Sequence, residues 1–464
     1  MQYISTRGRA EALPFDEVVL TGLARDGGLY VPAFWPTFTE REIRDMRKLD
    51  YADLALRVIA PFVGRAIPEA DLGALLHDTY GNFNHRAVAP LKQMGHNLWL
   101  MELFHGPTLA FKDYALQFLG RLFEYLLNKR GERLTIVGAT SGDTGSAAIE
   151  GCRDRDALDV FILFPLGRVS EVQRRQMTTV HAKNVHCIAV KGTFDDCQNM
   201  VKAMFNDLSF RDELRLSAVN SINWARITAQ VVYYFWAGSH LWAKDRPLAY
   251  SVPTGNFGNV FAGYAAQQMG LPIDHMVVGS NANDILTRFF ETGTMTPGDV
   301  VATTSPSMDI QISSNFERML FELYGRDPDA IDGLMDQFSQ KGSYTVNDAV
   351  WKKALSLFSG VRYTDGEVAD IIDEIYEVTG EIVDTHSAIG IAGAEGRRRT
   401  HDTPMISLAT AHPAKFPETI EAAIGVRPPM PSRILDIMER PERFTVMEND
   451  LGAIKSFIRT HGKK

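Results

Sequence analysis

Residues 134–151 read LTIVGATSGDTGSAAIEG, and the fold class follows from them. The first four, 134–137, form a short run rich in β-branched side chains. The next stretch, 138–145, is rich in glycines and small hydroxyl residues, and the sequence beginning SAAIEG at Ser146 suits a helix. Strand, loop and helix in that order are the unit from which parallel sheets are built. Short apolar runs at 159–164, 186–190, 248–252, 275–279 and 405–409 repeat the pattern. Apolar strands alternating with helical segments predict parallel sheets covered on both faces, an α/β architecture.

Upstream of this region the units are missing. The stretches LPFDEVVLTGLARDGG (13–28) and YADLALRVIAPFV (51–63) carry apolar residues at helical spacing, so residues 1–90 are expected to form a mostly helical lead-in. Two α/β domains are then expected, over 91–245 and 246–464, with a helix-rich insertion around 310–380. No internal repeat or heptad run interrupts the series.

The 464 residues are 45% hydrophobic and 23% charged, the balance of an ordinary globular protein with a sizeable core. The net charge of −9 argues against a nonspecific nucleic-acid binder, which needs a positive field. It leaves room for a small anionic substrate, because helix N-termini supply local donors. Cys152, Cys187 and Cys197 lack Cys-x-x-Cys spacing, so neither a disulfide framework nor a zinc ribbon is expected. The most apolar stretch, 231–242, is short and broken by Gly238, Ser239 and His240. A cytoplasmic protein without membrane anchor, nucleic-acid partner or metal is expected, as a monomer or homodimer.

Three segments carry candidate chemistry. In ELFHGPTLAFKDY (102–114), Lys112 follows the apolar pair Ala110 and Phe111. A lysine in apolar surroundings loses its charge more readily and becomes an amine nucleophile, although an isolated Phe-Lys pair is more often a snorkelling surface lysine. TSGDTG (140–145) lies between a strand and a helix, where free amides seat a carboxylate or phosphate; alone, it would read as a helix cap. TGNFGN (254–259) has the same placement, and its glycines let the backbone approach a phosphate. Neither loop matches the Walker or dinucleotide fingerprint. A lysine, two anion-seating loops and Thr410 in LATAHPAKF together fit a pyridoxal-phosphate (PLP) enzyme.

The chain also resembles the threonine synthase family, in its long bacterial and fungal form. The matching segments are YISTRG, DGGLYVP, ELFHGPTLAFKD, ATSGDTG, GTFDDCQ, NSINWARI, VPTGNFGN and ATAHPAKF, spread from residue 3 to residue 416. The resemblance implies the tryptophan-synthase-β-like fold, fold type II among PLP enzymes. It implies that Lys112 forms the Schiff base, that Gly255, Asn256, Phe257, Gly258 and Asn259 hold the cofactor phosphate, and that Thr410 meets the pyridine nitrogen. It further implies that Ser141, Gly142, Asp143 and Thr144 receive the substrate carboxylate, and that Ser221, Asn223 and Arg226 bind the phosphate of O-phosphohomoserine. Many enzymes of this fold carry Asn where this chain has Asp143, whose carboxylate would repel that of the substrate. It is therefore expected to turn away, or to contact the cofactor oxygen or a cation. The implied reaction yields threonine and phosphate. Rival readings are another lyase of the fold, such as threonine or serine dehydratase, and a noncatalytic threonine-synthase-like protein.

Overall fold

In the computed structural model, which describes residues 1–242 and 246–462, two parallel sheets dominate. The first has five strands in the order Thr445–Glu448, Val185–Lys191, Leu158–Pro165, Leu134–Ala139 and Leu216–Ser217, all parallel. The second has six, in the order Phe358–Arg362, Ile273–Ser280, Leu248–Pro253, Met405–Ala409, Leu98–Glu102 and Leu91–Gly95. Only the edge strand Leu91–Gly95 runs antiparallel to its neighbour. Central strands such as Leu158–Pro165 and Met405–Ala409 are buried along their whole length, which is why they read as unbroken apolar runs.

Sheet membership does not follow the contiguous segments 91–245 and 246–464. Leu91–Gly95 and Leu98–Glu102 belong with the later strands, while Thr445–Glu448 returns to the earlier sheet. The expected boundary at residue 245 lies outside the described residues. The lead-in also departs from expectation. It has the helices Phe15–Thr21, Glu40–Met46, Tyr51–Val63 and Glu69–Tyr80, but also a three-stranded antiparallel sheet of Leu13–Pro14, Gln2–Ser5 and Tyr30–Pro32. Strands of two to four residues are too short for periodicity to reveal. The region 310–380 contains four helices and, within it, the edge strand Phe358–Arg362.

The helix Lys112–Arg130 packs against the helix Asp143–Cys152 at unusually close range. Glycines permit it: a Cβ on Gly120 would lie 1.9 Å from the carbonyl of Gly151, and one on Gly151 would lie 2.3 Å from that of Leu116. This contact fixes Lys112 against Asp143, the first residues of the two helices. The lead-in is bound to the rest by Arg318, which is fully buried and donates to the carbonyls of Tyr30 and Ile222 and to the side chain of Asn315.

Candidate active site

Four loops that leave the carboxyl ends of parallel strands form the site: 103–111, 140–142, 254–257 and 410–412. Ligands of parallel α/β sheets bind at such strand ends. Ladder-like backbone bonds tie the first loop to the last. Phe111 N donates to Thr410 O at 2.8 Å and His412 N to Leu109 O at 3.0 Å, so Thr410 is held beside Lys112.

Lys112 is buried, and its Nζ donates to Ser307 Oγ at 3.0 Å and lies 3.4 Å from Asp143 Oδ2. Burial pushes its amine below the ordinary value; Asp143 opposes the fall, and Lys415 and Arg226 add to it. Asp143 therefore takes the last of the options read from the sequence: its carboxylate contacts cations. Lys415 Nζ is 2.9 Å from Asp143 Oδ1, Gln173 Nε2 donates to that oxygen at 2.8 Å, and Ser307 Oγ donates to Oδ2 at 3.2 Å. Burial alone would raise this carboxyl, but Lys415, Lys112 and His386 hold it well below the usual carboxylate range.

The TSGDTG loop is shaped by Thr140, whose Oγ1 accepts from the amides of Gly142 at 3.0 Å and Gly145 at 2.9 Å. Gly142 has φ of 145°, outside the range of L side chains, and a Cβ there would strike Gln173 at 2.5 Å. The helix begins at Asp143, three residues before the sequence pattern suggested, so Asp143 and Thr144 stand at its amino end. First-turn amides have no intrahelical acceptor and can seat an anion. Ser141 and Thr144 are half-buried.

In the TGNFGN loop, Phe257 adopts the left-handed conformation at φ of 60°, and its ring is locked between Phe316 and Phe358. That kink starts the helix Gly258–Gln268. A Cβ on Gly255 would lie 3.0 Å from Ser307 O, so the loop carrying Ser307 passes directly over it. Asn256 accepts from Ser314 Oγ at 3.0 Å, and Ser314 also lies 3.0 Å from Ser221 Oγ. Ser221 is thus joined to the glycine loop. Asn259 Oδ1 accepts from Tyr233 at 2.6 Å and Tyr234 at 3.1 Å, while its buried Nδ2 has no protein partner.

Asn223 has structural contacts of its own. It caps the helix Trp224–Leu241 through the amide of Ala225 at 3.0 Å, and its Nδ2 donates to Val19 O at 2.8 Å, so both ends of its carboxamide serve structure. Arg226 is not a surface residue either. It is 3% exposed, donates through Nη1 to Val219 O at 2.9 Å, and leaves Nε unpartnered; among the described residues no carboxylate pairs with it. Burial pushes its guanidinium down to about 10. A buried cation without an acidic partner is costly, and an anion beside it would offset that cost.

Sequence reasoning missed Ser307, Gln173, Ser314 and the buried pair His386–Asp384, whose Nδ1 to Oδ2 distance is 2.7 Å; His386 Nε2 faces the amide of Ser307 at 3.4 Å. Only the Asp-Thr-His-Ser cap signal at 384–387 was there to find. Among the described residues no cluster of side chains could hold a metal ion.

A buried lysine amine, two loops offering helix-start amides and an uncompensated guanidinium suit a phosphorylated cofactor and an anionic substrate. Fold and site define a PLP-dependent enzyme of fold type II, and a family model described as pyridoxal-phosphate dependent enzyme matches residues 84–404. Models for the threonine synthase N terminus and C-terminal region match residues 2–80 and 387–458. Threonine synthase from Pseudomonas aeruginosa is 54% identical over 465 residues, covering 100% of this chain and 99% of the relative. The chain belongs to the threonine synthase family. The crystal structure of PLP-bound threonine synthase from Brucella melitensis superposes with a TM-score of 0.98 at 52% identity, with complete coverage of both chains. That from yeast gives 0.94 at 38% identity over 99% of this chain and 98% of the other. A tomato threonine deaminase shares the fold alone, with a TM-score of 0.51 at 14% identity, covering 88% of this chain and 92% of the other.

Proposed function

We propose that the site converts O-phosphohomoserine and water into threonine and inorganic phosphate. The observation that carries this reading is the buried Arg226, without a carboxylate partner and within electrostatic reach of Lys112. A deaminase acting on threonine has no phosphate to place there.

The residues fit PLP. Lys112 would hold it as a Schiff base, Gly255 to Asn259 would hold its phosphate, and Thr410 would face the ring nitrogen. Bound there, the cofactor supplies a sink for the electron pair left when a proton leaves the substrate α-carbon. The unpartnered Nδ2 of Asn259 supports an acceptor at the loop.

The chain's own residues do the rest. Amides at the start of the helix Asp143–Cys152 receive the substrate carboxylate, with the Asp143 side chain held away by Lys112, Lys415 and Gln173. Ser221 and Arg226 take the phosphate and stabilise charge as it leaves the γ-carbon. Asn223 positions that pair through its cap at the start of the helix Trp224–Leu241. Lys112, once displaced by the substrate amine, removes the α-proton; a β-proton then leaves, phosphate departs from the γ-carbon, which regains a proton, and water adds its hydroxyl at the β-carbon before a proton returns to the α-carbon. One water is consumed and one phosphate released.

The test is phosphate release from O-phosphohomoserine with threonine measured in the same tube. Equal amounts, together with a visible absorbance band lost in Lys112→Ala, support the reading. Ammonia from threonine without phosphate release would replace it with a dehydratase. The buried, unpaired Cys152, Cys187 and Cys197 support residence in a reducing cytoplasm.

A further inference from the structure

Lys415 was legible as part of ATAHPAKF, but its partner was not. It ends the short turn Pro413–Lys415 after the strand Met405–Ala409 and is 0% exposed. Its Nζ donates to Thr108 O at 2.7 Å and Gln176 Oε1 at 2.9 Å, and meets Asp143 Oδ1 at 2.9 Å. An ammonium has three N–H donors and no acceptor, so this set is complete. Lys112 is served differently. Ser307 Oγ is at hydrogen-bond distance, but the contact with Asp143 is 3.4 Å, beyond the usual range. One hydrogen bond and one long contact leave Lys112 under-served as an ammonium and suit a neutral amine.

We infer that Lys415 is a positioning residue that sets the proton state of Lys112 through their shared carboxylate, Asp143. The inference rests on the reading of Lys112 as the reacting amine. Its basis is a charge count in a buried site. Two ammonium groups around one carboxylate leave a net positive charge away from water, which is costly. The cluster is neutral when one amine gives up its proton, and the amine with three good acceptors keeps its own. Two further basic groups push the same way, and one carboxyl, Asp113, opposes the count by attracting Lys415. Arg226 is a further cation acting on Lys112, and His386 acts on Asp143. Asp113, the buried carboxyl facing Lys415, accepts from Thr108 N at 2.7 Å, Thr108 Oγ1 at 2.9 Å and Gln117 at 3.1 Å, and burial raises it to about 6; when ionised it favours the ammonium of Lys415, which leaves Lys112 as the amine that gives up its proton. Burial and the surrounding cations lower the Lys112 amine in agreement with the count. Lys415 thus keeps Lys112 ready to take a proton from the substrate, without touching substrate itself.

The experiment follows the holoenzyme by two readouts, the pH titration of its visible absorbance and the pH profile of kcat for phosphate release. In Lys415→Met, Asp143 is left to Lys112 alone and the neutral state becomes the protonated one. The absorbance midpoint and the acid limb of kcat should both move to higher pH, by about 1–3 units. Lys415→Arg, which keeps the charge, should restore the parent positions. Asp143→Asn should move both to lower pH, and it provides the test if Lys415→Met does not fold. A fall in kcat with both midpoints unmoved, in whichever of the two variants folds, would make Lys415 a packing residue and overturn the inference. A visible band that survives Lys112→Ala would instead remove the assignment of Lys112, so the two failures are distinguishable.

Discussion

Replacing Arg226 by Met should strengthen the unliganded protein and cripple its reaction. The guanidinium lies 3% exposed, with Nη1 on the carbonyl of Val219 and Nε on nothing. Burial pushes it down to about 10, with Tyr233 only partly opposing. At about 1.4 kcal/mol per unit, that fall from the ordinary guanidinium range costs on the order of 3 kcal/mol. An arriving phosphate removes the cost; methionine removes it permanently while filling similar space. We expect Arg226→Met to gain about 1–2 kcal/mol without ligand, since apolar replacement of uncompensated buried charge is commonly neutral or stabilising. Its kcat/KM should fall about 10- to 100-fold, the loss of one charge-assisted interaction of about 1.5–3 kcal/mol. Thermal unfolding with and without inorganic phosphate, beside phosphate-release kinetics, measures both. The parent should be stabilised by phosphate by an amount that grows with its concentration, and the variant should not. A variant that is less stable without phosphate, still stabilised by it, and unchanged in kcat/KM would refute the placement of Arg226 at an anion site.

Other expectations follow from the same geometry. Lys112→Ala should abolish turnover and the visible absorbance band together, as a spectrum of the purified variant would show. Gly120→Ala drives a methyl into the carbonyl of Gly151, so it should destabilise by about 1–3 kcal/mol and reduce kcat by displacing Lys112 from Asp143; denaturant unfolding and phosphate release test it. His275 and His412 are held near 4, chiefly by burial, while the unfolded chain binds these protons near 6.5. The unfolded state binds more protons below about pH 6.5, so stability should drop as pH falls toward 4, by up to about 2 kcal/mol per histidine at pH 5. His275→Gln should flatten the decline of melting temperature between pH 7.5 and 5, and an equally steep decline would contradict it.

Much of the fold could be read from local pattern because its central strands are buried on both faces. Met405–Ala409 was found to the residue, and the runs at 159–164, 186–190, 248–252 and 275–279 all fall inside strands. The edges escaped notice. Thr445–Glu448 and Leu91–Gly95 are largely exposed and mixed in character, so only their pairing makes them strands. Phe358–Arg362 was absorbed into a helix-rich region because five residues next to a helix carry no period of their own. The site divides the same way. The glycine loops announce themselves by lying between strand and helix, whereas Ser307 meets Asp143 from 164 positions away and Lys415 from farther still. Asn223 is the reverse case: a motif residue whose side chain also has a local job as a helix cap.

The sheets' exchange of strands bears on the order in which the protein can be made. Residues 134–191 supply the middle of the five-stranded sheet, yet its edge at Thr445–Glu448 and the helix Leu451–His461 that joins its core are synthesised about 250 residues later. Until then the strand Val185–Lys191 has an unpaired edge, the kind of surface that invites wrong partners. The five-stranded sheet is therefore finished after its neighbour: all six strands of the latter exist once residue 409 is made, while the former still waits for 445–448. Cutting the chain anywhere between residues 103 and 444 would leave one of them short of a strand, and a ribosome paused midway holds neither sheet complete.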